Sequence, residues 1–145
     1  MIMPGTIGNF FIKAIVNSPL HFMLGERFAV IAFTGRKTGK TYSIPVNVTP
    51  IAGILTTVSL RGRTWWRNLR GGRMIRLRRN GSRLEVRAET VEAPEAVSAG
   101  LAAYFRQVPG DAKYFKVHVD PDGEPEPKEL EHVAGDRVLI HFHPA

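Results

Sequence analysis

Cysteine is absent from this chain. That removes disulfides, thiolate nucleophiles and thiolate metal ligands, and it fits a reducing cytoplasm. Long apolar runs are missing as well. No stretch approaches the roughly 20 residues that cross a bilayer, and no cleavable signal is evident. Acidic residues are the minority, with thirteen Asp and Glu against twenty Lys and Arg, a formal charge of +7. An excess of this sign favours acidic ligands, nucleic acid or an anionic membrane surface without choosing between them. No G-x-S-x-G elbow and no internal repeat occurs. What remains, 145 residues with 43% apolar content, is expected to fold as one domain over 1–145 with a real core.

The most informative segment is the six-residue connection Gly35-Arg36-Lys37-Thr38-Gly39-Lys40. Before it lies the apolar run Phe28-Ala29-Val30-Ile31-Ala32-Phe33. After it, Tyr42, Ile44, Val46 and Val48 alternate with Ser43, Pro45 and Asn47. Both flanks read as strands, so the basic loop is expected to be a hairpin connection. Glycines let backbone approach a ligand closely, and three cations supply charge for a phosphate or carboxylate. A nucleotide-binding P-loop is the obvious competitor, because Gly39-Lys40-Thr41 ends like one. That motif needs an earlier glycine where Thr34 stands, and a helix after the lysine. Here a proline-containing strand follows. A solvated basic hairpin tip is the plainer competitor.

Around this loop the chain reads as strands and short helices. Ile7, Phe10, Phe11, Ala14 and Ile15 recur at helical spacing, which predicts an amphipathic helix over 5–17. Ser18-Pro19 interrupts it, and an apolar patch runs from Leu20 to Leu24. Strands are expected at 28–34, 41–49 and 53–60, then a short helix over 64–70, capped by Thr64 and stopped by Gly71-Gly72. Asn80-Gly81 predicts a two-residue type I′ hairpin. Folding there pairs Leu77 with Leu84 and Ile75 with Val86 on one face, and Arg76 with Glu85 and Met74 with Arg87 on the other. Pro94 opens a helix over 95–107 that buries Val97, Leu101 and Phe105. An acidic loop spans 120–127, and 137–143 is the last strand. Several antiparallel strands with peripheral helices predict a mainly β, α+β fold closed or half-closed as a barrel, since closure hides strand edges.

Three motifs in order, Thr34 through Lys40, then Ile44-Pro45-Val46, then Trp65-Trp66 with Asn68-Leu69, resemble the deazaflavin-dependent nitroreductase family. These are actinobacterial split β-barrel proteins related in fold to flavin mononucleotide (FMN)-dependent pyridoxamine phosphate oxidases. The resemblance covers about residues 25–92. It implies an antiparallel, FMN-binding-like split barrel and an enzyme, an oxidoreductase that passes hydride from reduced coenzyme F-420 to a small hydrophobic quinone, nitro or enone compound. It also implies that Arg36, Lys37, Thr38, Gly39 and Lys40 hold the coenzyme's phosphate or glutamate tail. Ser43, Ile44, Pro45 and Val46 would lie along the ring, Ser59, Leu60 and Arg61 would add contacts, and Trp65, Trp66, Asn68 and Leu69 would wall the site. A homodimer is implied as well. FMN is the alternative ring system. The family carries a longer loop after the strand ending near Ser59, whereas here only Leu60-Arg61-Gly62-Arg63-Thr64 fill that space. Arg61 or Arg63 would then take phosphate contacts. Tyr104 and Tyr114 are the tyrosines available for a substrate pocket, and neither aligns as a proton donor.

Other readings carry less. Trp65-Trp66 beside basic residues suits stacking on single-stranded nucleic acid. Adjacent helical residues diverge by about 100°, however, so one Trp is expected to pack inward. No nucleic-acid signature accompanies them. His141 and His143 share one side of a strand, but a zinc site wants three or four ligands, and no metal is expected. A non-catalytic lipid- or fatty-acid-binding relative remains open, with the helix over 5–17 making peripheral membrane or lipid contact; its only polar-face cation is Lys13.

Overall fold

The computed structural model describes residues 27–145, so the expected helix over 5–17 and the patch at 20–24 lie outside the described residues. Strands β1 (Phe28–Thr34) and β2 (Thr41–Asn47) pair in full register, Phe28 opposite Asn47 and Thr34 opposite Thr41. Then come β3 (Thr49–Ile51), β4 (Ile54–Leu60), β5 (Arg73–Arg79), β6 (Ser82–Val91) and β7 (Arg137–Pro144). The sheet order is β2-β1-β5-β6-β7-β4-β3, and every neighbouring pair is antiparallel.

The two ends of that order are consecutive in the chain. Only Val48 separates β2 from β3, and it is fully buried. One kinked run therefore pairs with β1 by its first half and with β4 by its second, which curls the sheet onto itself. Thr57 Oγ1 on β4 donates to the Asn47 carbonyl at 2.7 Å, and the Val48 N–H donates to the Arg27 carbonyl at 2.7 Å, pinning the kink. The expected strand over 41–49 is thus two strands, because the chain changes partner at Val48. Alternate residues point inward, among them Ala29, Ile31, Phe33, Ile75, Leu77, Val86, Val138, Ile140 and Phe142, and they fill the interior. The fold is a split β-barrel with helices on its outside.

The hairpin forms in the expected register, with φ of 52° at Asn80 and 77° at Gly81 as a type I′ turn requires. Leu77, Ile75 and Val86 are buried, while Met74, Arg76, Glu85 and Arg87 face solvent. Leu84 shares the inner face but is 52% exposed, because the hairpin tip runs past the core. Helix α1 (Pro94–Gln107) buries Val97, Leu101 and Phe105 as expected. A Cβ on Gly100 would lie 2.3 Å from Leu139 Cδ1, so this glycine sets how closely α1 rests on β7. A 3-10 helix, Pro109–Phe115, and helix α2 (Pro127–Asp136) complete a second core outside the barrel, with Leu101, Phe105, Leu130, Val133 and Leu139 in contact.

Neither of these last two helices was expected from the sequence. For α2 the signal was present. Pro127 sits at the first helical position, Leu130, Val133 and Ala134 follow at helical spacing, and the Glu126 carboxylate accepts the Lys128 and Glu129 N–H groups at 3.2 and 2.7 Å.

A polar cluster anchors the outer core. Asp111 accepts hydrogen bonds from Arg27 and from the Tyr104 hydroxyl, and Arg27 also reaches Thr49 Oγ1 at 3.2 Å. Burial pushes the Tyr104 hydroxyl well above its usual pKa, and the Asp111 bond adds to it. Burial acts to raise the Asp111 carboxyl, but the Arg27 and Tyr104 bonds outweigh it and hold the pKa below the ordinary carboxylate value. On β7, burial lowers the His141 pKa, helped by His143. Both lowered groups favour the deprotonated state on folding, so each contributes stability above its unfolded pKa and loses it as pH falls. Thermal unfolding from pH 8 downward should therefore show a first loss starting near pH ~6.5 and a second below about pH 4. His141→Gln should remove the first step alone.

Candidate functional site

The loop between β1 and β2 is closed by its own backbone. The Gly35 N–H donates to the Lys40 carbonyl at 2.8 Å, and the Gly39 N–H donates to the Gly35 carbonyl at 2.9 Å, with Gly39 at φ 70°. Thr38 Oγ1 accepts the Lys40 N–H and meets the Tyr42 hydroxyl, both at 3.2 Å. A Cβ on Gly35 would fall 2.6 Å from Tyr42 Cε2 and 2.9 Å from Thr38 Oγ1. Gly35→Ala must therefore push the Tyr42 ring off its neighbour or open the loop. A cost of about 1–3 kcal/mol in urea unfolding is expected.

This loop is pinned to the 3-10 helix Trp65–Leu69 that follows β4. The Arg36 N–H donates to Asn68 Oδ1 at 3.0 Å, and the Arg36 guanidinium donates to the Arg70 carbonyl. Asn68 Nδ2 in turn donates to the Trp65 carbonyl at 3.0 Å. From β5, the Arg73 guanidinium donates to the carbonyls of Thr34 at 2.8 Å and Asn68 at 3.0 Å. Gly71 and Gly72, at φ of 85° and 77°, let the chain leave the helix and enter β5.

Between loop and helix lies a groove of about 900 Å³. Its apolar wall is aromatic and aliphatic. The Phe33 and Tyr42 rings stack with centroids 5.9 Å apart, Trp65 lies 6.4 Å from Phe33, and Ile44 and Val46 continue the surface. The rim carries Arg36, Lys37, Arg63, Arg67 and Arg70, and no acidic residue among the described residues lines it. Among the described residues, Arg70 is the one of these cations bound to a carboxylate, gripping Glu92 at 2.8 to 3.2 Å. That bond to Arg70 holds the Glu92 carboxyl below its usual pKa. Arg67 and Arg70 also lie over the Trp66 ring, at 5.7 and 4.9 Å from its centroid. Lys37 and Arg63 have no acidic partner among the described residues. The groove thus offers a flat apolar surface beside positive charge that, among the described residues, only Glu92 offsets. It suits a planar ligand bearing phosphate or carboxylate.

Of the residues singled out from sequence, Arg36, Lys37, Thr38, Ile44, Pro45, Val46, Trp65 and Asn68 line this groove. The others stand elsewhere. Gly39 and Lys40 close the loop turn. Ser43 lies opposite Ala32 on the alternate face of β2. Ser59 is buried in β4, with its hydroxyl bonded to the Leu60 carbonyl at 3.2 Å, and Leu60 is 41% exposed. Arg61 spends its guanidinium on the carbonyls of Glu92 at 2.6 Å and Arg137 at 3.0 Å. Trp66 and Leu69 are core residues, as expected of one of the two tryptophans. Tyr104 is buried against Asp111, and Tyr114 lines a different cavity, so neither reaches the groove. Sequence reasoning missed Phe33, Tyr42, Thr64, Arg67 and Arg70 as lining residues, and it named Gly35 only as part of the basic loop. Tyr42 was findable, because it shares a strand face with Ile44 and Val46. Among the described residues no cluster of three or more His, Asp and Glu could hold a metal ion. No described helix is long and apolar enough to cross a membrane.

No family model matches the chain, and no curated protein matches it. Solved structures do match in shape. A protein of unknown function from Agrobacterium tumefaciens overlays with a TM-score of 0.54 at 16% identity, over 99% of this chain and 57% of the other. This chain therefore spans little more than half the length of that relative. A conserved hypothetical protein from Mycobacterium tuberculosis gives a TM-score of 0.54 at 17% identity, over 97% of this chain and 80% of the other. An FAD- and heme-binding protein from Mycobacterium smegmatis gives 0.52 at 16% identity, over 88% and 67%. At these identities the likeness establishes the shared split-barrel fold.

Proposed function

We propose that this chain is an oxidoreductase whose groove binds the reduced deazaflavin coenzyme F-420 and serves hydride transfer to a small hydrophobic electrophile such as a quinone, nitro compound or enone. The observation that carries the reading is the pairing of the Phe33–Tyr42–Trp65 wall with a cationic rim in which, among the described residues, only Arg70 is neutralised by a carboxylate. A ring system with an anionic tail matches both halves of that surface. The motif order of the sequence, and a fold shared with a protein that binds FAD and heme, support the same class.

The residues present fit such a group. Lys37 and Arg63 would meet phosphate or glutamate carboxylates, and Arg36, held by Asn68 and the Arg70 carbonyl, presents its charge at a fixed place. Gly35 keeps the loop against Tyr42, where any side chain would intrude. Ile44, Pro45, Val46 and Trp65 would orient the ring and keep water from its reactive face. When bound, the coenzyme supplies the hydride from its own ring carbon, so the protein needs to bind, orient and shield rather than provide a nucleophile. FMN offers the same two features, a flat ring and a phosphate.

Anaerobic mixing of the protein with reduced coenzyme F-420 and menadione should show catalysed reappearance of the oxidised chromophore. A rate no greater than that of coenzyme and quinone alone, with a nitro compound and an enone equally unreactive, would remove the redox reading.

A further inference from the structure

A second cavity, of about 510 Å³, lies outside the barrel between the end of the 3-10 helix Pro109–Phe115 and helix α2. It has the size of a small-molecule site. Phe115 and Val133 give it an apolar floor, and Tyr114, 57% exposed, stands at its rim. Both of its acids are already engaged. Glu129 accepts the His118 backbone N–H at 2.8 Å and faces that imidazole at 2.9 Å, while Asp136 pairs with Arg137 at 2.6 Å. The Arg137 guanidinium also lies over the Phe115 ring, 5.7 Å from its centroid. Lys116 and Lys128 come from segments twelve residues apart and meet at this cavity without an acidic partner among the described residues. Lys116 does so from a left-handed backbone, φ 59°, a conformation uncommon for a residue with a side chain.

We infer that this cavity is a second ligand site, separate from the groove, for a small organic anion with an apolar body, of the aryl carboxylate class. The ring would rest on Phe115 and Val133, and the carboxylate would take the ammonium groups of Lys116 and Lys128. An inorganic anion would leave the apolar floor uncovered, and an uncharged aromatic would leave both lysines without a counter-charge. Neither accounts for both surfaces of the cavity. The assignment does not depend on what the groove binds, because no lining residue is shared between the two.

The test is a residue-resolved amide NMR titration of the full chain with sodium benzoate, beside benzamide as the uncharged counterpart. Saturating shifts are expected at Lys116, Lys128 and Val133, with benzamide weaker by about tenfold or more and the Lys116→Gln/Lys128→Gln variant weaker by a similar factor. Both lysines are exposed, so this variant keeps the fold, which unchanged amide positions away from the cavity would verify. The inference is overturned by shifts confined to the Arg36–Lys37 rim, by an equal response to benzamide, by unchanged affinity in the variant, or by an absence of saturation.

Discussion

Trp66→Ala should destabilise the protein by about 3–5 kcal/mol, the range for removing a large aromatic from a core. The side chain is 1% exposed and packs among the inward residues of the barrel. Its loss would also strip the surface on which Arg67 and Arg70 rest, so the cationic rim would lose order along with the core. The neighbouring substitution should behave oppositely. Trp65 is half-buried and lines the groove, so Trp65→Ala should keep most of the stability and lower coenzyme affinity by about tenfold. Denaturant unfolding and ligand titration of the two variants separate these effects. If Trp65→Ala cost as much stability as Trp66→Ala and left affinity unchanged, the division of labour on this helix would be wrong.

The second large effect concerns the rim. Replacing Arg36 and Lys37 together by Ala should weaken binding of coenzyme F-420 by about a hundredfold or more, since each charge-assisted hydrogen bond contributes roughly 1.5–3 kcal/mol and 1.4 kcal/mol is tenfold. Part of the double variant's change would come from the loop, because Arg36 also bonds the Arg70 carbonyl. Lys37→Ala isolates the charge. That side chain has no acidic partner among the described residues, so stability should move by less than about 0.5 kcal/mol while affinity falls. Rising salt should weaken the wild-type complex more than the Lys37→Ala complex, because the exposed charge is screened. A full set of affinities unmoved by these changes would mean that the basic loop is a hairpin tip and nothing more.

How far the sequence alone led depends on the range of each interaction. The Asn80-Gly81 hairpin was legible down to its register, because a two-residue turn fixes every pair that follows it. The strand faces and the buried side of α1 were legible from periodicity. Closure of the barrel was visible as a need to hide edges. The device that achieves it, the change of partner at Val48, was not visible, since an unbroken alternating pattern gives no sign of a kink. Helix α2 was hidden behind a proline-rich acidic loop whose last proline is in fact the helix's first residue.

At the groove, the loop, the Ile44–Val46 segment and Trp65, which the sequence motif names in order, line one cavity. Arg61 shows where such reasoning stops. An arginine at a strand end can face a ligand or satisfy backbone carbonyls, and here it takes two carbonyls that only the folded chain brings near it. Arg63, two residues later, is the one that reaches the groove. Charge pairing is equally non-local. Nothing near Arg70 in sequence identifies Glu92 as its partner, yet that pair decides which rim cations remain available.

The groove beside Gly35–Lys40 is proposed to hold a deazaflavin. The direct measurement is a fluorescence titration of the full chain with coenzyme F-420, run beside FMN, on the wild type and on the Arg36→Ala/Lys37→Ala variant. Saturable binding of F-420 at roughly micromolar affinity or tighter, lost in the variant, is the predicted result. Tight binding of FMN alone would keep the groove and change the cofactor. Saturation by neither, in a protein whose unfolding curve shows it intact, would contradict the account.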